Sequence, residues 1–163
     1  MKLKLLKDPD PRLRKICAPI STIDDYIIEL AEAMRNFIQE FGEKDKDPRL
    51  SPIGVAAPQF GHLVQLFVIH MPSFETTMVN PRIIKMSGSR RHIEGCLCMP
   101  GRYFLVDRPK ILKVKGLDLA GRDRAVKAHD HLAGAILHEM EHLGGILVDN
   151  VAITEVPNDF IQS

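Results

Sequence analysis

The chain has little of what marks a special environment. Its cysteines number three, Cys17, Cys96 and Cys98, among 163 residues. A set so small and odd is no disulfide framework and points to a reducing compartment. Long apolar runs are missing, so neither a membrane span nor a signal peptide is expected. The start, MKLKLLKDPDPRLRK, brings proline and aspartate too early for a transit peptide. A cytoplasmic protein with no membrane partner is the expectation. An excess of one charge is also missing. The net charge is +1, no basic block suggests nucleic acid, and no acidic tail suggests a solvating segment. Clusters such as Arg90-Arg91 read as solvated loop. There is no internal repeat, low-complexity tract or linker. What remains is an ordinary soluble composition, 45% hydrophobic and 26% charged. The length suits a single domain, residues 1–163, with a core of its own.

Read along the chain, PDPRLRKICAPI predicts an extended segment that hugs the surface. STIDDYIIELAEAMRNFIQEFG predicts a helix capped by Ser21 or Thr22, with Asp24 and Asp25 at its positive end. Ile27, Leu30, Met34, Phe37 and Phe41 share one stripe of it, and Gly42 ends it. EKDKDPRLSP reads as a charged loop, and IGVAAPQFG as backbone that passes close to something. HLVQLFVIHM and TTMVNPRIIKM read as strands, the second interrupted at Asn80-Pro81. RHIEGCLCMPG reads as a short strand bounded by glycines, and FLVDRPKILKVKGLDLAGRD as a hairpin. HDHLAGAILHEMEHLGG predicts a second helix, with Asp130 as its cap and Gly144-Gly145 as its stop. Leu132, Ala135, Ile136, Met140 and Leu143 surround that helix, which should therefore be central and wrapped by strands. A short apolar stretch, ILVDNVAI, and a polar tail follow. This order gives an α+β fold.

The second helix also carries chemistry. Residues four apart share a helix face, so His138 and His142 can both aim a ring nitrogen at one divalent ion. Glu139, about 100° around from His138, falls beside such an ion, where it can handle the proton of a water. The alternative is an amphipathic helix that happens to carry imidazoles, and a third ligand decides between them. Downstream of His142 there is no histidine, only Asp149, Glu155 and Asp159. Upstream, Cys96 offers a thiolate. Two imidazoles, one thiolate and one water make a four-coordinate catalytic site.

These residues resemble the peptide deformylase family. The family's motifs G-x-G-x-A-A-x-Q, E-G-C-x-S and H-E-x-x-D-H-L correspond here to PIGVAAPQ from Pro52, EGCLC from Glu94 and HEMEHL from His138. PDPRLR, Asn80-Pro81 and Arg108 extend the likeness over nearly the whole chain. The resemblance implies a single compact domain with antiparallel sheets around a central metal-binding helix. It implies Cys96, His138 and His142 as ligands of Fe²⁺, with Zn²⁺, Ni²⁺ or Co²⁺ able to replace it. Glu139 would move protons, while the Gln59 side chain and the Leu97 backbone N–H would serve the oxyanion. Ile53, Gly54 and Gly95 would line the peptide path, and Glu94 would be a buried partner of Arg108. The substrate would be an N-formylmethionyl nascent peptide, and formate a product.

Several positions depart from the pattern. Pro52 replaces the first glycine, Cys98 the serine, Glu141 the aspartate, and Leu137 the usual glutamine. Cys96 and Cys98, if on a strand, would face the same side. Gly134 and His131 stand where the family has apolar residues around the methionine side chain; Gly134 would leave empty volume. The C-terminal stretch is no convincing helix, so ribosome docking is not carried over, and a monomer without direct nucleic-acid contact is expected. Two rivals stay open: a metal amidase selecting another acyl group, and a silent relative that binds peptide or metal without turnover.

Overall fold

Two antiparallel sheets are built around two long helices in the computed structural model, which describes residues 1–44, 53–157 and 159. Helix α1 spans Asp25–Lys44. Its start is held by Asp24, whose carboxylate accepts the Ile27 N–H at 3.0 Å. Asp24, not Ser21 or Thr22, is therefore the cap, three residues ahead of the N–H it satisfies. Gly42 does not end the helix, which continues to Lys44. Ile27, Leu30 and Met34 are buried as the stripe requires, with Ile38 beside them. Most of the EKDKDPRLSP loop, including Pro52, lies outside the described residues.

The larger sheet runs β1 (Gly54–Ala56), β2 (Leu66–Met71), β3 (Phe74–Ser87), β6 (Ile111–Leu117) and β7 (Asp123–His129) in spatial order. The smaller is β4 (Arg90–Gly95), β5 (Tyr103–Arg108) and β8 (Thr154–Val156). β3 passes through Asn80-Pro81 with a register shift between Val79 and Arg82. Asn80 adopts φ 50°, which asparagine tolerates. Its amide accepts the Ile20 N–H and donates to the Ile20 carbonyl, both at 2.8 Å. The bulge thereby anchors the N-terminal segment.

The expected hairpin over 104–123 is split. β5 pairs with β4 and β8, whereas β6 pairs with β3 and β7. Pro109 between them can donate no ladder bond, and the chain changes sheets there. The true hairpin joins β6 to β7. Asp118 closes its turn by accepting the Ala120 and Arg122 N–H groups at 2.9 and 3.0 Å.

Helix α2 (Asp130–Leu143) packs on one face of the larger sheet. Ala133, Ile136 and Leu143 join Phe67, Ile69, Met78, Leu112 and Val114 in one core. Truncating a fully buried side chain such as Ile136 to alanine would cost about 2–5 kcal/mol. Helix α1 covers the opposite face at β1–β3, where its stripe meets Val55, Leu66, Val68 and Val79. The helix is central, as its apolar circumference predicted. Asp130 is not its cap: His129 holds that position, and Asp130 enters the helix with φ 47°. Behind α2, Gly145 takes φ 71°, and a Cβ there would lie 2.6 Å from the Arg14 carbonyl oxygen. The N-terminal segment crosses at that point, with the Cys17 N–H donating to the Leu143 carbonyl at 2.9 Å. A short helix α3 (Val148–Val151) follows. No helix among the described residues is long and apolar enough to cross a membrane.

Candidate metal centre and active site

Three elements converge on one point. α2 contributes His138, Glu139 and His142 from successive turns. Cys96 sits just past the end of β4, and Cys98 lies in the turn that follows, closed by the Met99 N–H on the Cys96 carbonyl at 2.9 Å. The two cysteines are therefore not strand neighbours, as the sequence suggested, because the strand stops at Gly95. Gln59 comes from a 3-10 turn after β1, Ala57–Phe60. The N-terminal segment ties these pieces together: the Leu6 N–H reaches the Gln59 carbonyl at 2.7 Å and the Asp8 N–H the Cys98 carbonyl at 2.8 Å.

The donor atoms of Cys96, His138 and His142 all lie within 4.8 Å of one another. Cys96 Sγ is 3.4 Å from His142 Nε2. Ordinary metal–sulfur and metal–nitrogen bond lengths in a tetrahedron set that edge at about 3.5 Å, so the residues present fit a divalent cation. His138 is oriented from behind, its Nδ1 3.0 Å from Glu94 Oε2. That contact leaves its Nε2 for the centre. Cys98 beside it, and then burial, push the Cys96 thiol well above its ordinary range. A thiolate at this position requires a positive charge next to it.

Glu139 is buried, and its Oε2 has no hydrogen-bond partner among the described residues. Burial raises its carboxyl to about 7, the range in which a group can both take and return a proton. Gln59 is also buried. Its Oε1 accepts the Ala56 N–H at 2.8 Å, which turns Nε2 toward the sulfurs, 3.5 Å from Cys98 and 3.9 Å from Cys96. A donor is thus held at the centre. Ile53, Gly54, Gln59, Gly95, Cys96, Leu97, His138 and Glu139 all line one cavity of about 510 Å³, with His142 behind them. Gly54 is needed for a different reason than open space for a peptide. A Cβ there would stand 2.7 Å from Ile69 Cδ1 and 2.9 Å from Glu139 Cγ, so its absence makes room for the carboxylate.

Behind the centre lies a charge cluster. Arg108 donates from Nε and Nη2 to the two oxygens of Glu94 at 2.7 and 2.8 Å, and from Nη1 to Glu141 at 2.7 Å. Burial by itself would raise Glu94, but its bonds to Arg108, His138 and His92 override this and hold the carboxyl far below the usual range. The longer Glu141 reaches the guanidinium that an aspartate would have to approach by one methylene less. Sequence reading missed His92, whose Nε2 is 3.0 Å from Glu94 Oε1. Its signal was parity: His92 and Glu94 are two apart on a strand and share a face. The same ring corrects the expectation of empty volume at Gly134. A Cβ there would meet His92 Cε1 at 2.9 Å. His131 is exposed on the cavity wall, its ring 6.4 Å from that of His92.

Fold and donor set together define a class: an α+β protein with a Cys-His-His cluster fit for one metal ion and a carboxylate on the same helix. The particular family follows from comparison with known proteins. The polypeptide deformylase family matches residues 2–155. The chain is 38% identical to the peptide deformylase of Alkaliphilus metalliredigens over 156 residues, 95% of this chain and 100% of that one. It is 34% identical to that of Thermomicrobium roseum, over 90% of this chain and 84% of the other. Among solved structures, a peptide deformylase from Synechococcus elongatus in complex with actinonin superposes with a TM-score of 0.83 at 33% identity, covering 93% and 79%. That from Thermotoga maritima gives 0.83 at 26% identity, covering 94% and 99%. The chain belongs to the polypeptide deformylase family and is an enzyme of that kind.

Proposed function

We propose that this enzyme hydrolyses the formyl group from N-formylmethionyl peptides, releasing formate and a free amino terminus. The reading is carried by one observation: three donor atoms within 4.8 Å of one another beside a buried carboxylate oxygen that has no hydrogen-bond partner among the described residues. Cys96, His138 and His142 would hold Fe²⁺, or Zn²⁺, Ni²⁺ or Co²⁺ in its place. When bound, the cation supplies Lewis acidity and a water of lowered pKa. Glu139 takes the proton of the attacking water at its free oxygen and passes it to the leaving amine nitrogen. The Gln59 Nε2, fixed by its bond to Ala56, and the Leu97 N–H donate to the oxygen of the formyl carbon as negative charge develops there. One such donor contributes about 2.7–4 kcal/mol in a transition state. Ile53, Gly54 and Gly95 line the path of the peptide backbone. The enzyme would work as a cytoplasmic monomer.

The test is formate release from formyl-Met-Ala-Ser by protein purified without oxygen and assayed for metal, beside the acetyl analogue. Formate from the first and nothing from the second is expected. Turnover of the acetyl peptide alone would make it an amidase of another acyl group. Metal binding with no turnover of either would make it a silent relative. Glu139→Ala should keep its metal and lose at least 10²-fold in kcat, roughly the general acid–base contribution. Loss of metal in that variant would show that Glu139 is a ligand instead.

A further inference from the structure

Among the described residues, α1 covers the outer face of the larger sheet at β1–β3, and the cluster beneath it extends to Leu117 at the end of β6 and Leu119 just past it. The rest of that face, on the outer end of β3 and on β6 and β7, is open. It is not a mixed polar surface. Lys113 and Lys115 of β6 are exposed while Leu112 and Val114 are buried, so the two lysines point outward. Lys113 is in register with Lys85 of β3 on one side and with Lys127 of β7 on the other. Lys115 is in register with Arg82. Arg82, Lys85 and Lys127 are exposed as well. Five cations thus occupy adjacent ladder positions, three of them in one row across the sheet. None of them takes part in a salt bridge among the described residues. Asp123, at the far end opposite Leu117, is the acid that shares this face in the register.

Strands lie about 4.8 Å apart, and like charges directly opposite one another repel. A sheet that lines up three lysines in one row keeps a repulsion that a closely spaced polyanion would relieve. The face is a ladder of cations about 4.8 Å apart across strands and about 6.7 Å apart along one. It twists with the sheet. A twisted row can follow the turning phosphate backbone of a nucleic-acid helix, whereas a planar lipid surface meets only part of it. We infer that the uncovered face of β3, β6 and β7, built from Arg82, Lys85, Lys113, Lys115 and Lys127, binds the phosphate backbone of RNA. The choice of RNA rests on the reading above, because N-formylmethionyl chains are products of RNA-templated synthesis. The site is remote in kind from the metal centre, since none of the five residues lines its cavity.

The experiment is fluorescence anisotropy with a labelled RNA hairpin, using the full chain. Binding without sequence preference is expected. If all five cations meet phosphates, affinity should fall roughly 500-fold between about 50 and 200 mM salt, a log–log slope near −0.9 per contact. Lys85→Gln, Lys113→Gln and Lys127→Gln together should weaken binding and flatten that slope by about 2.7. They should leave formate release from formyl-Met-Ala-Ser and Tm unchanged or raise Tm. A control with the same change of net charge elsewhere, Lys2→Gln, Lys4→Gln and Lys15→Gln, should bind as the unaltered chain does. The inference is overturned if the two triple variants bind alike, if RNA does not bind, or if vesicles with anionic headgroups bind the face and RNA does not. Formate release separates the two readings: an active enzyme that ignores RNA sinks this inference alone, and an inactive one that binds RNA through these lysines sinks the catalytic reading alone.

Discussion

Arg108 and Arg12 make the same bond in two different places. Each presents a guanidinium fork to one carboxylate: Arg108 to Glu94 at 2.7 and 2.8 Å, Arg12 to Asp10 at 3.0 and 2.7 Å. The difference is the surroundings. The Arg108 side chain is 2% exposed and that of Glu94 10%, against 49% and 24% for Arg12 and Asp10. Water screens the outer pair and could replace either partner. Nothing can replace Arg108 between Glu94 and Glu141. Geometry alone does not tell a structural charge from a decorative one; burial does.

The sharpest way to break that comparison is Arg108→Leu. Two carboxylates would stay buried without a cation, which should cost about 3–5 kcal/mol of unfolding free energy in chemical denaturation. Arg108→Lys should fall between, because an ammonium keeps the charge and loses the fork. A loss within measurement error in Arg108→Leu would mean that solvent reaches the cluster and that the two pairs are alike after all.

Within the cluster a finer comparison is available. Glu94 touches both Arg108 and His138, whereas the Glu141 carboxylate bonds only Arg108 among the described residues. Glu94→Gln should therefore weaken metal binding about 10–100-fold, the usual effect of losing the group behind a histidine ligand. Glu141→Gln should cost only about 1 kcal/mol of stability and leave metal affinity where it was. Metal titration of the two variants side by side decides it. Equal losses would make the cluster a single electrostatic unit rather than a lever on His138.

How much of this was legible from residues alone follows the same physics. His138, Glu139 and His142 could be read because helix spacing fixes which side chains share a face, and Cys96 because few other soft donors exist in the chain. The central position of α2 was legible in its apolar circumference, and the stripe of α1 in its spacing. The split of the expected hairpin was not. Phe104, Val106 and Arg108 before the change of sheet and Leu112 and Val114 after it are buried at even positions, so the two alternations share one parity and lapse only at the buried Pro109 and the exposed Lys110. The cap of α1 was misplaced because Ser21, Thr22 and Asp24 are all competent and tertiary entry angle selects among them. The basic face escaped notice for a related reason. Its cations are separated in sequence by apolar residues and come from three strands, so no basic block exists until the register assembles one. Pairs within one element can be read locally, while faces made by several elements cannot.

The outer pair supplies the smallest effect and the cleanest contrast. The Asp10 carboxyl is lowered to about 2, first by the Arg12 side chain and then by the Arg12 backbone N–H. Its folded value lies below the unfolded one near 3.8. Whatever it contributes is therefore fully present above that unfolded value and disappears as pH falls toward the folded one. Asp10→Asn keeps an oxygen for the Arg12 N–H and removes only the charge. At neutral pH it should move Tm by less than about 2 °C, since exposed pairs contribute little. An NMR titration of Asp10 should show its midpoint drift back toward the ordinary range in high salt, because exposed charges are screened. Glu94 should hold its proton off through the same salt and the same acid range, its partners lying beyond the reach of solvent ions. If high salt shifted both carboxyls equally, burial would not be what separates Arg108 from Arg12, and the identical forks would have to be treated as equivalent.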